Sequence, residues 1–269
     1  TGEDGNHGED VKELYYYLDN TPSHSYMKYL YKYPQAKFPY GRILFESQKR
    51  SKSQREYELI DTGIFDGNKY FDVFVEYAKK GPEEICIKIT VKNRANNSAD
   101  LVMVPNLWFR NLWDFGVVDK IPSITRLDIN DENYGGVKAS HDKAGNYFLY
   151  FDEPDEYLFT NNKTNLERIF NTKNKDKYVK DLFHTAIIQE DDFSVFHGVN
   201  EGTKFAPYYK REVAAKGEVV FKLLLTNKEE VNPFTDNFET VFQERIQEAN
   251  EFYNYFIPDS ASPDMANIQ

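Results

Sequence analysis

The sequence of 269 residues contains a single cysteine, Cys86, which excludes an internal disulfide bond. The five histidines show no metal-ligand spacing, so we predict neither a metal site nor a cofactor. No apolar run approaches the ~18 residues of a membrane span. No secretory leader is recognisable at Thr1, and a cytoplasmic location is predicted.

Positive charge is also scarce, because 33 Lys and Arg residues stand against 44 Asp and Glu residues. The net charge is −11 and the isoelectric point is near 5.1. This balance argues against nucleic acid and anionic membranes as partners, since both repel an acidic protein. A neutral ligand fits the composition better.

Aromatic residues are abundant: they make up 16% of the chain, with 20 Tyr and 21 Phe. Such a composition favours a β-rich protein, because flat rings pack well on pleated surfaces. The spacing of strand-like segments and turns predicts a mainly β fold, an antiparallel β-sandwich with a few peripheral helices.

The segment Ile85–Gly116 is the strongest local pattern. Apolar and polar residues alternate from Ile85 to Lys92, as in a strand with one buried face. The polar stretch 93–100 then predicts a hairpin with a returning strand at Leu101–Val104. Together with strands at Tyr57–Ile60 and Tyr70–Ala78, this predicts an antiparallel meander of four strands.

Helices are predicted at four places, the shortest of them around Leu166–Phe170. Thr21-Pro22 is typical of a helix start and precedes tyrosines at helical spacing as far as Lys32. Tyr40–Arg55 ends in basic residues, which a helix carboxyl end favours. Asp236–Tyr255 is amphipathic and is followed by Pro258.

Two further strands are expected to pair with each other, Tyr147–Phe151 and Leu158–Thr160. Between them lies the acidic run of residues 152–156, and a second acidic run covers 190–192. Charged runs in turns are usually solvated, so we do not interpret either as a catalytic carboxylate pair. No nucleophile elbow, phosphate loop or dinucleotide motif is present.

A cluster of aromatic and polar side chains follows Pro105 and is our first candidate binding site. Tryptophan faces stack on the C–H faces of sugar rings, while Arg and Asn can reach hydroxyl groups. The alternative is that both tryptophans belong to the core or to a domain interface. A second candidate is the amino-terminal loop with His7, Glu9 and Asp10. The substrate-binding residues predicted in the cluster are Trp108, Phe109, Arg110, Asn111 and Trp113.

Three long segments resemble the amino-terminal part of glucosidase-like proteins related to glycoside hydrolase family 63 (mannosyl-oligosaccharide glucosidase-like). They are HGEDVKELYYYLDNTPSHSYMKYLYKYPQAKFPY at 7–40, YELIDTGIFDGNKYFDVFVEYAKKGPEEICIKITVKNR at 57–94 and PNLWFRNLWDFG at 105–116. The resemblance implies a super-sandwich domain, of the kind also seen in galactose mutarotase, that precedes an (α/α)6 barrel.

The family's catalytic acid and base lie in that barrel, so the resemblance assigns no catalytic residue here and implies that the chain alone is inactive. It implies a sandwich domain at 1–235 and a linker helix with its tail at 236–269. The expected partners are an α-glucosidic oligosaccharide and the (α/α)6 domain. Two alternatives stay open: a stand-alone carbohydrate-binding module, and a mutarotase-like sugar-acting protein with a His/Glu pair.

Overall fold

The computed structural model describes residues 14–190, 192–235 and 237–268. The fold is mainly β and antiparallel, which confirms the predicted fold class. The strands are β1 (Leu14–Asn20), β2 (Tyr26–Pro34), β3 (Tyr70–Gly81), β4 (Glu84–Asn93), β5 (Ala99–Met103), β6 (Leu107–Trp108), β7 (Ser123–Arg126), β8 (Tyr134–His141), β9 (Gly145–Asp152), β10 (Glu156–Thr160), β11 (Glu201–Gly202), β12 (Lys204–Val213) and β13 (Glu218–Thr226).

The helical elements are mostly short and peripheral. The α-helices are α1 (Tyr40–Gln48), α2 (Leu166–Phe170), α3 (Leu182–His184), α4 (Asn237–Asn254) and α5 (Pro263–Ile268). Single 3-10 turns lie at Leu59–Thr62, Asp66–Asn68 and Ser194–Phe196, and a π-helical turn follows α3 at Thr185–Glu190.

Two sheets of unequal width face each other. The large sheet has nine strands in the order β1-β2-β3-β4-β13-β9-β8-β7-β11. The small sheet has the order β10-β12-β5, and β6 also pairs with β12. The main core lies between the sheets, where Val73 and Val91 of the large sheet pack in one cluster with Phe205 and Tyr209 of the small sheet. We call the side of the large sheet that faces the small one its inner face.

Helix α4 covers the outer face of the large sheet. Its buried side chains, Phe238 and Phe242 among them, pack in one cluster with the buried Cys86 of β4. Arg245 donates to the carbonyl of Lys79 at 3.2 Å. The predicted carboxyl-terminal amphipathic helix is therefore confirmed, and it lies on the sheet. The prediction of one buried face for β4 is only partly right: Ile89 and Val91 pack in the main core, but Cys86 on the opposite face is buried as well, in the cluster with α4.

Two rows of opposite charges cross the outer face beside α4. Buried Glu76 lies between Lys28 and Lys88 on the neighbouring strands, at 3.8 and 3.9 Å. Its carboxylate also accepts a 2.7 Å hydrogen bond from the hydroxyl of Tyr26. Buried Asp72 pairs in the same way with Lys32 at 2.7 Å. Because each buried carboxylate has partners, the charges are tolerated under the helix.

The predicted helix from Thr21 to Lys32 is wrong, since β2 occupies this region. The Thr21 hydroxyl accepts hydrogen bonds from the backbone N–H groups of Ser25 and Tyr26, at 3.0 and 3.2 Å. It thus stabilises the β1–β2 turn, in which His24 has a positive φ of 53°. Pairing of all nine residues of β2 with β3 outweighs the local helix-start signal.

The predicted hairpin between Ile85 and Val104 is also wrong, because β4 and β5 belong to different sheets. β4 pairs with β3 and β13, whereas β5 pairs with β12. The buried Asn93 side chain holds this crossover: it donates to the carbonyl of Val213 at 3.0 Å and accepts from the N–H of Ala95 at 2.9 Å. The chain is thereby turned towards the second sheet.

Other boundaries differ too. The predicted strand at Tyr57–Ile60 is a loop leading into a 3-10 turn, so the observed meander runs from β1 to β4 and not from Tyr57 to Val104. Leu158–Thr160 belongs to β10, which pairs with β12 and not with Tyr147–Phe151. Helix α1 stops at Gln48, short of Arg55.

The small sheet is interrupted where two prolines meet. β5 and β6 pair with β12 in the same register, Met103 opposite Tyr209 and Leu107 opposite Phe205. That register places Pro105 opposite Pro207. Since neither residue has an N–H to donate, β5 and β6 remain separate strands.

Candidate functional site

The predicted aromatic cluster forms a surface loop, Trp108–Gly116, which we call the aromatic loop. Strand β6 attaches its start to β12, and the N–H of Phe109 donates to the carbonyl of Thr203 at 3.0 Å. The Asn162 side chain donates to the carbonyl of Phe109 at 2.9 Å. Two separate chain segments therefore fix the first half of the loop.

The aromatic side chains of this loop do not form one platform. Strand alternation sends Trp108 to the outer face of the small sheet, where it is 54% exposed. Phe109 points the opposite way: it stacks on His141 with centroids 5.6 Å apart and packs against the main core. The two rings therefore cannot bind one sugar together.

The second half of the loop is held by polar contacts. The Asn111 amide donates to Asp114 at 2.7 Å, and Asp114 lies 3.4 Å from the ammonium group of Lys163. Trp113 is half-buried, and its indole N–H has no hydrogen-bond partner among the described residues. Arg110 is exposed. The other predicted site residues, His7, Glu9 and Asp10, lie outside the described residues.

The acidic run after β9 is only partly solvated, contrary to our expectation. Asp152 accepts from the N–H of Lys222 at 2.7 Å, and Glu153 accepts from the hydroxyl of Tyr157 at 3.1 Å. Burial is the main cause that raises the pKa of both Asp152 and Glu153. Asp155 is exposed and bound to β12. These carboxylates have structural partners in the sheets.

The structure reveals a second candidate site that we did not predict, a cleft between the two sheets. Because the small sheet has fewer strands, it leaves part of the inner face of β1 to β4 uncovered. The cleft has a volume of about 510 Å³, within the range of small-molecule sites. We call it the tyrosine cleft; it is lined by Tyr15, Tyr29, Tyr31, Val73, Val75, Tyr77, Ile87, Ile89, Met103, Val104, Pro105, Asn106, Leu107, Leu149, Leu223 and Leu225.

Strand register brings the tyrosines of the cleft together. Tyr15 of β1 lies opposite Tyr31 of β2, and Tyr17 lies opposite Tyr29. Opposite residues of an antiparallel pair share a face, so these four rings all lie on the inner face. Tyr15 is 53% exposed and Tyr17 is 82% exposed. We missed this arrangement because we interpreted β2 as a helix.

The lining of the cleft is apolar with a few hydroxyl groups. Burial is the first cause that raises the pKa of the Tyr29 hydroxyl, and the nearby hydroxyls of Tyr77 and Tyr17 add to it. Burial likewise raises the pKa of Tyr77. None of the described residues that line the cleft carries a charge. The cleft therefore suits an uncharged ligand that has both apolar faces and hydroxyl groups.

No family model matches the chain. An uncharacterized protein of Saccharomyces cerevisiae is 36% identical over 312 aligned residues, and the match covers 100% of this chain but 28% of that protein. The chain therefore spans little more than a quarter of its curated relative.

A solved structure described as "Putative kojibiose phosphorylase from human microbiome" matches 74% of this chain and 20% of its own, with 9% identity and a TM-score of 0.31. A likeness of this extent establishes no shared activity. Within the described ranges, no helix is long and apolar enough to cross a membrane. The same residues include no group of three or more His, Cys, Asp or Glu that could hold a metal ion.

Proposed function

We propose that this chain is a non-catalytic β-sandwich domain of a longer, inverting glycoside hydrolase that acts on α-glucosidic oligosaccharides. In this proposal the domain braces an (α/α)6 catalytic barrel and lines the rim of its pocket. The observation that carries the proposal is a set of exposed apolar side chains on and just after the aromatic loop. Trp108, Phe115, Val117 and Ile121 are 54%, 79%, 66% and 54% exposed.

Several large exposed apolar side chains within fourteen residues are typical of a surface that another domain covers. The long segments resembling glucosidase-like proteins supply the sugar class. The length of the yeast relative is consistent with a larger protein, since this chain matches 28% of it.

Helix α4 fits the proposed role of a linker, with the boundary at residues 235 and 236. Its buried face packs on the sheet, but three aromatic residues at and just after its carboxyl end are exposed. Phe252, Tyr255 and Phe256 are 43%, 84% and 52% exposed. In the proposal, these rings contact the barrel.

Alanine substitution of the tryptophans tests this function. Trp108→Ala is expected to lower the free energy of unfolding of this chain by well under the ~3–5 kcal/mol typical of a buried aromatic residue. Trp113→Ala is expected to cost more, because its ring is half-buried. In the longer protein, Trp108→Ala should weaken sugar affinity or domain docking.

Phe205→Ala is the matched control, since Phe205 lies on the neighbouring strand with 0% exposure and should show the full loss. Urea denaturation gives the free energy of unfolding of all three variants. A loss for Trp108→Ala equal to that of Phe205→Ala would show that Trp108 is a core residue and would end the interface proposal.

The second candidate function is a stand-alone carbohydrate-binding module, which the tyrosine cleft favours. The reading frame after Gln269 separates the two. A helix-rich continuation of several hundred codons supports a domain that braces a catalytic barrel. A stop codon supports a stand-alone binding module.

A further inference from the structure

We propose that the tyrosine cleft is a binding site for a neutral oligosaccharide, separate from the aromatic loop. The choice of a saccharide rests on the proposed function, whereas the position of the site rests on the cleft itself. The site has an aliphatic floor formed by β3, β4 and β13, and a rim of phenol rings from β1 and β2.

The rings provide stacking surfaces in succession. Tyr15 and Tyr17 are two residues apart on β1, with centroids 5.9 Å apart and planes at 86°. On β2, the centroids of Tyr31 and Tyr33 are 6.0 Å apart and their planes meet at 33°. Tyr15 and Tyr31 line the cleft, and Tyr17 and Tyr33 continue the same face of the sheet just beyond it. Side chains two apart on a strand are separated by roughly 6.6 Å, so a chain of sugar units can extend from a lining ring to its neighbour. The cleft therefore suits an oligosaccharide better than a single sugar.

Polar groups are few but lie where they can reach hydroxyls. Tyr29 and Tyr77 belong to the lining, and a phenol hydroxyl can both donate and accept a hydrogen bond. The Asn106 amide donates one hydrogen bond to the carbonyl of Val104 at 2.6 Å, and its carbonyl oxygen can accept from a ligand.

The absence of charge in the described lining disfavours ionic ligands. The described lining carries no charged side chain that could pair with a phosphate, a uronate or an ammonium group. The net charge of −11 repels polyanions at a distance. A neutral ligand with apolar C–H faces and hydroxyl edges matches both the rings and the floor.

The test is isothermal titration of the 269-residue chain with maltoheptaose and, separately, with a uronate oligomer of similar length. We expect binding of maltoheptaose only. Tyr15→Ala should raise its Kd by about tenfold or more, equivalent to ~1.4 kcal/mol, because Tyr15 provides an exposed stacking face. Tyr29→Phe keeps the ring and removes the hydroxyl, so it should raise the Kd by a smaller factor.

Phe170→Ala is the matched control, since this aromatic residue is 66% exposed at the end of α2 and is not among the residues that line the cleft. It should leave the Kd unchanged, and circular dichroism should show that every variant is folded. Absence of maltoheptaose binding at millimolar concentration would overturn the proposal. Binding lost in Trp108→Ala and kept in Tyr15→Ala would also overturn it, by assigning the sugar to the aromatic loop.

A dimer that Tyr15→Ala dissociates, seen by light scattering without sugar binding, would identify the cleft as an interface between two copies and refute the sugar site. None of these outcomes depends on the stability of Trp108→Ala. The proposal of a sugar site in the cleft can therefore be refuted while the proposal of a barrel-bracing domain stands, and the reverse also holds.

Discussion

Replacement of Asn93 by alanine should destabilise the sandwich more than any surface change, because this side chain joins the two sheets. Asn93 is 1% exposed. It donates to the carbonyls of Asn97 and Val213, at 2.8 and 3.0 Å, and accepts from the N–H of Ala95 and the amide of Gln35, at 2.9 and 2.8 Å. Both sheets and the connection between them thus meet at one amide.

The expected magnitude follows from which partners are buried. Val213 and Ala95 are 2% and 3% exposed, so water cannot easily replace the lost amide at their backbone groups. Each buried unsatisfied group costs ~1–3 kcal/mol, which gives a loss of roughly 2–6 kcal/mol for Asn93→Ala. That is a large part of the ~5–15 kcal/mol by which a typical domain is stable. Asn97 is exposed, so water can hydrate its carbonyl in the variant, and the loss of that hydrogen bond adds little to the free-energy cost.

Urea unfolding followed by tyrosine and tryptophan fluorescence measures this loss through the midpoint at unchanged slope. Asn93→Asp should cost at least as much as alanine at neutral pH, since it keeps an acceptor for Ala95 but buries a carboxylate against the carbonyl oxygens of Asn97 and Val213. Asn97→Ala is the control, because only its backbone carbonyl takes part, and it should stay within ~0.5 kcal/mol. A loss below about 1 kcal/mol for Asn93→Ala would refute the reasoning that this amide holds the crossover.

Two further outcomes follow from local packing. Gly202→Ala should lower the free energy of unfolding in urea by roughly 1–3 kcal/mol, since the added Cβ would collide with the backbone carbonyl of Thr160. Gly41→Ala in α1 is the control: its Cβ would meet nothing within 4 Å, so this change should be neutral or stabilising. Equal effects of the two changes would contradict the reasoning. Burial raises the pKa of the Cys86 thiol from 9.0 to about 11. As the pH rises, the unfolded chain therefore loses the thiol proton of Cys86 before the folded chain does. The free energy of unfolding should fall as the pH rises from 9 to 11. A disulfide reagent at pH 8 should label Cys86 only after unfolding, and rapid labelling of the folded protein would disprove the burial.

Local pattern was sufficient where one face of an element is plainly apolar. Alternation predicted most of β3 and β4, and one-sided periodicity predicted α4. It failed at β2, whose residues contact partners on both faces, so that Tyr26, Tyr29 and Leu30 also fit a helical spacing. Pairing of β5 could not be predicted locally, because its partner β12 follows about a hundred residues later. The choice between a hairpin and a crossover depends on Asn93 contacts that exist only in the folded protein.

For the candidate sites too, the local sequence predicted only part of the arrangement. Sequence alone indicated that Trp108 and Trp113 lie close together in the chain, but strand alternation separates the faces of Trp108 and Phe109. The tyrosine cleft depends on the unequal width of two sheets, which no single segment encodes. Tyr15 and Tyr31 become neighbours only through the β1–β2 register.

The meeting of Pro105 and Pro207 has a mechanical consequence. Val104, Pro105 and Asn106 form one wall of the tyrosine cleft at the point where β5 and β6 are not continuous. With no proline N–H on either strand, this wall can shift outward without breaking ladder hydrogen bonds at that position. The opposite wall, β1 to β4, is tied by continuous pairing. We therefore expect the hydrogen-bond ladder to hold the β1 to β4 wall more firmly than the wall at Pro105, which strand pairing fixes only on either side of the proline.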